Sequence, residues 1–422
     1  MHVERTVLHL QVARTLRSIS QGIAVVDLTL YLKDLHWSAQ AIGGVISAAG
    51  IFGAAMILLI GVLSDRIGRK PFLLIYECLI AVAALLVTFT ANSIVLTAVI
   101  VIAGFGRGQN GAAGPFTPAE QAWMAALVPR ASRGRVFSVN SALGFFGMAL
   151  GSVIAGTTKW WSHALPGALS FRPLFFLMFL FSVACAVVIS LTPKEERQHQ
   201  PPAPAANQAQ ATVSETDAHA AERQIRQREN RNMLKLAAVN LLNGLAVGFF
   251  GPLISYWFAI KFGASTAQIG VTLAVSFVLT GFSSLITGEL TRRFGMVKSV
   301  VFFQVLGVCM ILILPLMPSF WLASVFYILR SALNRGTQGA RSALSASLTR
   351  NQRRGFSVSM NSLVMRLTSA LGPTLSGYIL DIGELGLPFY LGGVLQLGST
   401  LLYGRLFRDF DRSSQASNAK SG

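Results

Sequence analysis

Charged and amide side chains lie inside segments of the chain that are otherwise apolar. The ones whose types suggest chemistry are Asp27, Arg107, Asn110, Arg330, Asn334 and Arg366. A charge among apolar side chains costs free energy unless it has a partner or a function, such as binding a substrate or carrying a proton. These six residues are therefore candidates for a substrate cavity or a proton-coupling site.

Asp27 lies deep in the first apolar segment of the chain. An apolar environment favours the protonated carboxyl, whereas a nearby cation favours the carboxylate. A carboxyl group under both influences can take up and release a proton. If Arg107 approaches Asp27, a substrate or a proton could compete for the pair. A permanent Asp–Arg bridge with a structural role is the alternative.

The second half of the chain carries cations instead. Arg330, Asn334, Thr337 and Arg341 are spaced i, i+4, i+7 and i+11, so they share one face of a helix. Arg366 lies in the next apolar segment, and no acidic residue lies near the centre of either segment. The partners of these arginines must then come from the first segment, from water, or from an anionic or zwitterionic substrate.

The composition decides which kind of element positions these residues. Of the 422 residues, 53% are hydrophobic and only 12% are charged, whereas soluble proteins carry about 25% charged residues. The formal net charge of +18 alone would suit a nucleic-acid-binding protein, but a soluble protein would not be this apolar. The chain is predicted to be an all-α protein that crosses a membrane repeatedly.

Twelve membrane-spanning helices are predicted, each of about 20 residues. They cover residues 10–32, 40–62, 71–90, 94–115, 136–157, 173–192, 234–258, 268–289, 298–317, 320–342, 356–379 and 386–406. Residues 193–231 are rich in Pro, Ala, Gln and charge, which predicts a linker, helical from about residue 220. The linker separates an N-terminal half, 1–192, from a C-terminal half, 232–408, and 409–422 form a tail.

Lys and Arg are concentrated in the loops that follow the second, fourth, eighth and tenth predicted spans, and in the linker and the tail. Positive charge marks the cytoplasmic side of a membrane protein. We therefore expect a multi-pass protein of the plasma membrane with both termini in the cytoplasm.

The two halves of the sequence repeat each other. At an offset of 221 residues, RGRVFSVNS (133–141) falls on RGFSVSMNS (354–362), and Glu120 falls on Arg341. At an offset of 227, Gly61 and Gly68 fall on Gly288 and Gly295. Two repeats of equal topology predict a transporter with a pseudo-two-fold axis along the membrane normal. Repeat mates should then lie at similar depths.

The loop after the second span reads GVLSDRIGRKP, residues 61–71. It resembles the signature of the major facilitator superfamily, G-x-L-x-D-R-x-G-R-K, in Gly61, Leu63, Asp65, Arg66, Gly68, Arg69 and Lys70. The matching loop of the second half, GELTRRFGMVK (288–298), has Arg292 where Asp65 stands. The resemblance implies two pseudo-symmetric six-helix halves, secondary active transport, and a conformational latch made by this loop. A simple topology anchor is the alternative role of the loop.

Two further segments resemble the drug:proton antiporters of that family. RGQNGAAG (107–114) is similar to their R-x-x-Q-G pattern, with Asn110 in place of Gln. Gly147, Gly151 and Gly156 approach their G-x-x-x-G-P-x-x-G-G pattern, although Ser152 and Ala155 replace its proline and one glycine. The second half carries Gly372, Pro373 and Gly377 at the matching positions. Close helix packing also accounts for these small residues.

The family architecture brings the cytoplasmic ends of the fourth and tenth spans together when the inner side closes. We therefore expect Glu120 and Arg341 to form an inner gate pair, with two independent snorkelling side chains as the alternative. Glu77, six residues into the third span, is expected to reach toward the basic loop.

These patterns together predict a secondary transporter that exports small molecules in exchange for protons. The alternatives are uptake or exchange of an anionic metabolite, favoured by Arg330, Arg341 and Arg366, and a membrane receptor that does not transport. The chain has no nucleotide-binding loop GxxxxGK[ST] and no Cys–His cluster with metal-ligand spacing, so no enzymatic activity, cofactor, metal or nucleic acid is expected. The expected partners are a small-molecule substrate, the proton and membrane lipid, with the protein as a monomer.

Overall fold

The computed structural model describes residues 2–105, 117–129, 133–193, 215–348, 350 and 354–418. Every regular element in these ranges is helical. The α-helices are α1 (His2–Asp34), α2 (Ala39–Ile67), α3 (Arg69–Phe89), α4 (Ser93–Ala103), α5 (Thr117–Leu127), α6 (Arg133–Ala155), α7 (Arg172–Leu191), α8 (Glu215–Phe250), α9 (Ile254–Phe262), α10 (Thr266–Phe294), α11 (Met296–Ile313), α12 (Phe320–Gly336), α13 (Gln338–Ser347), α14 (Arg354–Asp381) and α15 (Leu387–Asn418). Short 3-10 helices cover Gly156–Trp160, Gly167–Phe171 and Leu314–Leu316.

Eleven of the twelve predicted spans coincide with described helices. The seventh consists of α8 and α9, and the tenth of α12 and the start of α13. Of the fourth, 94–115, the structure describes α4 and residues 104–105, and α5 begins beyond its predicted end. The seventh span is interrupted at residues 251–253, where Pro252 has no N–H to donate to the helix. The predicted fold class, an all-α membrane protein in two halves, is confirmed.

Seven stretches of the described residues are by themselves long and apolar enough to cross a membrane. The first helix does not qualify alone, since α1 carries Arg14, Arg17 and Asp27 among its apolar residues. Those charges are buried inside the bundle, not exposed on its surface. The charged spans therefore cross the membrane as inner members of the bundle, surrounded by more apolar helices.

Equivalent helices cross closely in both halves. A Cβ atom built on Gly151 of α6 would overlap the carbonyl oxygen of Ile19 in α1. A Cβ atom on Gly372, its repeat mate in α14, would overlap the backbone of Gly248 in α8. Small residues let helix backbones approach this closely. The duplication seen in the sequence is thus also a duplication of helix packing.

Contacts between the two halves cluster at one side of the bundle, the distal side, where α1 ends and α2 begins. The Asp381 carboxylate of α14 accepts hydrogen bonds from the backbone N–H groups of Ala39 and Gln40, both at 2.8 Å. Thr374 of α14 donates to the Ser47 hydroxyl at 2.7 Å. Negative charge is favourable at a helix N-terminus. Asp381 therefore stabilises the contact between the start of α2 and the second half.

A second contact line at the distal side joins α6 to α10. A Cβ atom on Gly270 of α10 would overlap the carbonyl oxygen of Ser152 in α6. A separate contact between the halves joins α9 to α1, where Ser255 donates to the carbonyl of Val25 at 3.0 Å. The opposite side of the bundle, where α2 ends and α8 begins, is called the linker side below. In this structure the halves are joined at the distal side.

Candidate functional site

A cavity of about 200 Å³ lies in the second half. Residues from α8, α12, α13 and α14 line it, and they include Arg330, Asn334, Arg335 and Arg341. Neither Asp nor Glu is among these lining residues. The cavity begins at the interruption of the seventh span, near Pro252, and extends toward the linker side along α13.

Arg330 is buried with 5% of its surface exposed. Its guanidinium lies over the ring of Phe250, 3.9 Å from the ring centroid, and its Nη2 donates to Gln396 Oε1 at 3.5 Å. Its Nε has no hydrogen-bond partner among the described residues. The side chain is therefore held in place by an aromatic face and an amide, and no carboxylate of the described residues balances its charge.

Arg341 begins a chain of amide contacts at the linker-side end of the cavity. Its Nη2 donates to Asn240 Oδ1 at 2.8 Å, and Asn240 Nδ2 donates to Asn361 Oδ1 at 3.3 Å. Asn361 Nδ2 in turn donates to the Ser345 hydroxyl at 2.8 Å. This network ties the seventh, tenth and eleventh spans together through neutral partners.

A buried ionic cluster occupies the equivalent place in the first half. Arg17 Nε lies 2.5 Å from Glu77 Oε1, and Arg17 Nη1 lies 2.6 Å from Glu120 Oε2. The acids are 1% and 2% exposed. The expectation that Glu77 reaches toward the basic loop is therefore wrong: it turns into the bundle, where Arg17 supplies the charge that offsets its burial.

The two clusters are repeat mates with different charges. The corresponding pairs are Arg14 and Asn240, Arg17 and Asn243, Glu77 and Gln304, Glu120 and Arg341, and Cys185 and Thr400. In the first half, Arg17 Nη2 approaches Cys185 Sγ at 3.9 Å; in the second, Thr400 donates to Gln304 at 3.2 Å. Equivalent positions thus hold two acids and two arginines in one half, and amides with a single arginine in the other.

The comparisons with known proteins agree with this architecture. The family model described as Major Facilitator Superfamily matches residues 12–232 and 236–422. The chain belongs to the Major Facilitator Superfamily. It is a multi-pass membrane protein of a transporter family and not an enzyme. An uncharacterized membrane protein of Saccharomyces cerevisiae is 21% identical over 418 residues, which are 94% of this chain and 92% of that protein.

Three solved superfamily structures share the fold. A D-xylose-proton symporter is 13% identical with a TM-score of 0.72, over 96% of this chain and 97% of that one. The nucleoside transporter NupG is 15% identical with a TM-score of 0.71, over 95% and 99%. A bacterial homolog of the human lysosomal transporter Spinster, inward-facing and occupied, is 14% identical with a TM-score of 0.70, over 95% and 96%.

Within this superfamily fold, Asp27 is completely buried in α1. Neither of its carboxylate oxygens has a hydrogen-bond partner among the described residues. It lies nearer the distal side than the Arg17 cluster, two residues beyond the Val25 carbonyl that bonds to the second half. Arg107, which could approach it, and Asn110, another candidate cavity residue, lie outside the described residues.

Glu120 and Arg341 do not bond to each other in this structure. Glu120 is bound to Arg17 and Arg341 to Asn240, each within its own half. A bridge between them belongs to a different conformation, with the linker side closed, and remains a prediction. Arg366 is half-buried on α14, where its neighbours Met365 and Ser369 line the cavity.

The signature loop is described in part. Gly68 (φ 103°) and its repeat mate Gly295 (φ 95°) both have a positive φ and precede α3 and α11, which explains why both loops carry glycine there. Lys70 Nζ donates to the carbonyls of Ser190 and Thr192 at 2.8 and 2.5 Å, capping the end of α7. Arg69 is the first residue of α3, directly before Lys70. The placement of Gly61 and of the side chains of Asp65 and Arg66 lies outside the described part.

The sequence analysis missed several residues of these sites. The missed residues are polar and lie in predicted spans: Arg17, Asn240, Asn243 and Gln396. Their polarity inside apolar segments was the feature of the sequence that could have identified them. The offset of 226 that relates α1 to α8 would have paired Arg14 and Arg17 with Asn240 and Asn243. Which of them meet across helices depends on the tertiary packing.

Proposed function

We propose that the protein is a proton-coupled secondary active transporter of small molecules that works by alternating access. One observation carries the proposal: the halves join at the distal side, while a cavity lined by three arginines in the second half extends toward the linker side. This arrangement corresponds to one state of a cycle in which each side opens in turn. We further propose that the protein lies in the plasma membrane as a monomer, with both termini in the cytoplasm.

We assign the proton to Asp27. Its carboxylate is fully buried and has no partner among the described residues, and a charged carboxylate is unfavourable in such a place. When the distal side opens, water reaches α1 near Asp27 and the carboxyl can ionise. Release of the proton would thereby be linked to the change of conformation.

Export in exchange for protons is the direction we propose, on the resemblance of the fourth and fifth spans to drug:proton antiporters. The second candidate is uptake or exchange of an anionic metabolite. The three arginines that line the cavity, with no lining Asp or Glu, favour it. Both candidate functions include Arg366 as a residue of the substrate site and the signature loop as the conformational latch.

The Asp27→Asn variant tests the assignment of the proton. In proteoliposomes with an entrapped pH dye, addition of ethidium or succinate is expected to move protons with the native protein. Asp27→Asn should abolish proton movement but retain exchange of the labelled probe across the membrane. The matched control is Asp34→Asn, an exposed carboxyl on the same helix, which should behave like the native protein. Undiminished proton movement with Asp27→Asn would rule out Asp27 as the coupling site.

A further inference from the structure

We propose that Arg330 and Asn334 form a subsite for the carboxylate group of a small organic anion, with Gln396 as the residue that positions Arg330. This inference rests on the proposed transport function and specifies its substrate class. The ligand is a monocarboxylate with a short apolar body.

Buried hydrogen-bond donors without partners point to the subsite. Arg330 Nε, Asn334 Nδ2 and Gln396 Nε2 are buried and lack a hydrogen-bond partner among the described residues. Gln396 Oε1 accepts from Arg330, which fixes the orientation of that amide because a guanidinium can only donate. Buried polar groups are normally satisfied. Two of these donors, Arg330 Nε and Asn334 Nδ2, belong to residues that line the cavity, and they call for a ligand that accepts hydrogen bonds. Asn243 Oδ1, on α8, is an acceptor of the same lining that also has no partner among the described residues.

The charge around Arg330 selects an anion among such ligands. The cavity that Arg330 lines contains two further cations, Arg335 and Arg341. Arg335 itself lies over the ring of Phe277, 5.4 Å from its centroid. No carboxylate neutralises Arg330 in the described part of the chain. A bound anion would supply the missing charge in a place where burial makes it valuable.

The setting of Arg330 favours a planar oxyanion. A guanidinium is a planar fork that matches the geometry of a carboxylate. The Phe250 ring and Gln396 hold this fork before any ligand arrives, which reduces the conformational entropy lost on binding. Asn334 lies one helical turn further along α12 and lines the same cavity, so both residues can reach one carboxylate.

The rest of the cavity indicates what the carboxylate is attached to. Val247, Phe250 and Met365 line it beside the polar residues. A cavity of about 200 Å³ has room for a short carbon skeleton in addition to the charged group. A simple inorganic anion would leave the apolar part of the lining without contacts.

Ligand-induced thermal stabilisation of the purified full chain tests the subsite, with benzoate as the probe. A ligand that binds the folded state raises the melting temperature. We expect benzoate to raise it, and its neutral isostere benzamide to have no effect. Arg330→Lys keeps the charge but not the fork, and it should weaken benzoate binding by on the order of tenfold or more. Arg405→Met, on an exposed arginine of α15, is the matched control and should bind benzoate normally.

Three outcomes would overturn the inference: no shift with benzoate, a shift with chloride or phosphate alone, or benzoate binding that Arg330→Lys leaves unchanged. Gln396→Leu gives a second readout, since a positioning role predicts weaker benzoate binding with an unchanged melting temperature of the free protein. Failure of the proposed function is distinguishable. Benzoate that binds through Arg330 without any benzoate counterflow in proteoliposomes would contradict transport and leave the subsite intact.

Discussion

Replacing Arg17 by Met is expected to destabilise the protein by about 3–5 kcal/mol, because it leaves two buried carboxylates without their cation. Glu77 and Glu120 bind the same guanidinium from α3 and α5, so both lose their partner in one substitution. Arg17→Lys should fall in between, since a single ammonium cannot bridge both acids as the guanidinium does. Thermal unfolding in detergent, followed by size-exclusion chromatography, measures the effect.

Two further variants test this prediction: one that should restore stability and one that changes an exposed arginine as a control. Adding Glu77→Gln and Glu120→Gln to Arg17→Met removes the orphaned charges and should recover part of the lost stability. Arg226→Gln breaks an exposed ion pair with Glu222 and should leave the unfolding midpoint unchanged. If the Arg17→Met protein unfolds at the same temperature as the native protein, the cluster does not stabilise the first half.

Replacing Gly43 by Ala is expected to favour the conformation in which the distal side is open. A Cβ atom on Gly43 of α2 would overlap the carbonyl oxygen of Pro373 in α14, across the two halves. Overpacking of this kind costs about 1–3 kcal/mol. It destabilises only the conformation in which the distal side is closed. Such an energy corresponds to a shift of about 5- to 150-fold in the equilibrium between the states.

Gly44 provides the matched control, since a Cβ atom there would meet nothing within 4 Å. Gly44→Ala should therefore leave the equilibrium unchanged, although it makes the same chemical change one residue away. Reactivity of a cysteine introduced at Ser47, which bonds to Thr374 at the closed interface, reports the state. Equal reactivity in the Gly43→Ala and Gly44→Ala backgrounds would contradict the assignment of this interface as the distal closure.

The sequence alone predicted the features that follow from hydropathy and from the repeat. Long apolar segments gave the twelve spans, because only helices satisfy the backbone inside a membrane. The repeat predicted that Gly68 and Gly295 would occupy equivalent positions, and both have a similar positive φ, 103° and 95°. The face of α12 that carries Arg330 and Asn334 was predicted from helical spacing, and both residues line the cavity.

The partners of the buried charges could not be predicted in the same way. Glu77 is close in sequence to the basic loop, but its partner Arg17 lies 60 residues away on another span. Nor does helical spacing show that Arg330 stacks on Phe250, since that contact depends on where the seventh span is interrupted. Such pairings are set by helix rotation and crossing, which a single sequence without an alignment does not specify.

Distances between spin labels at both ends of the bundle test alternating access most directly. One pair joins Ala126 of α5 to Ser347 of α13 at the linker side, and the other joins Ala91 to Ser319 at the distal side; all four residues are exposed. Both pairs are measured in lipid nanodiscs at pH 5 and pH 8, with Asp27→Asn as a mimic of the protonated carboxyl. Alternating access predicts reciprocal changes: as the distal distance grows, the linker-side distance shrinks, with a pH dependence that Asp27→Asn removes. Distances that lengthen together, or that stay constant at both ends, would contradict it.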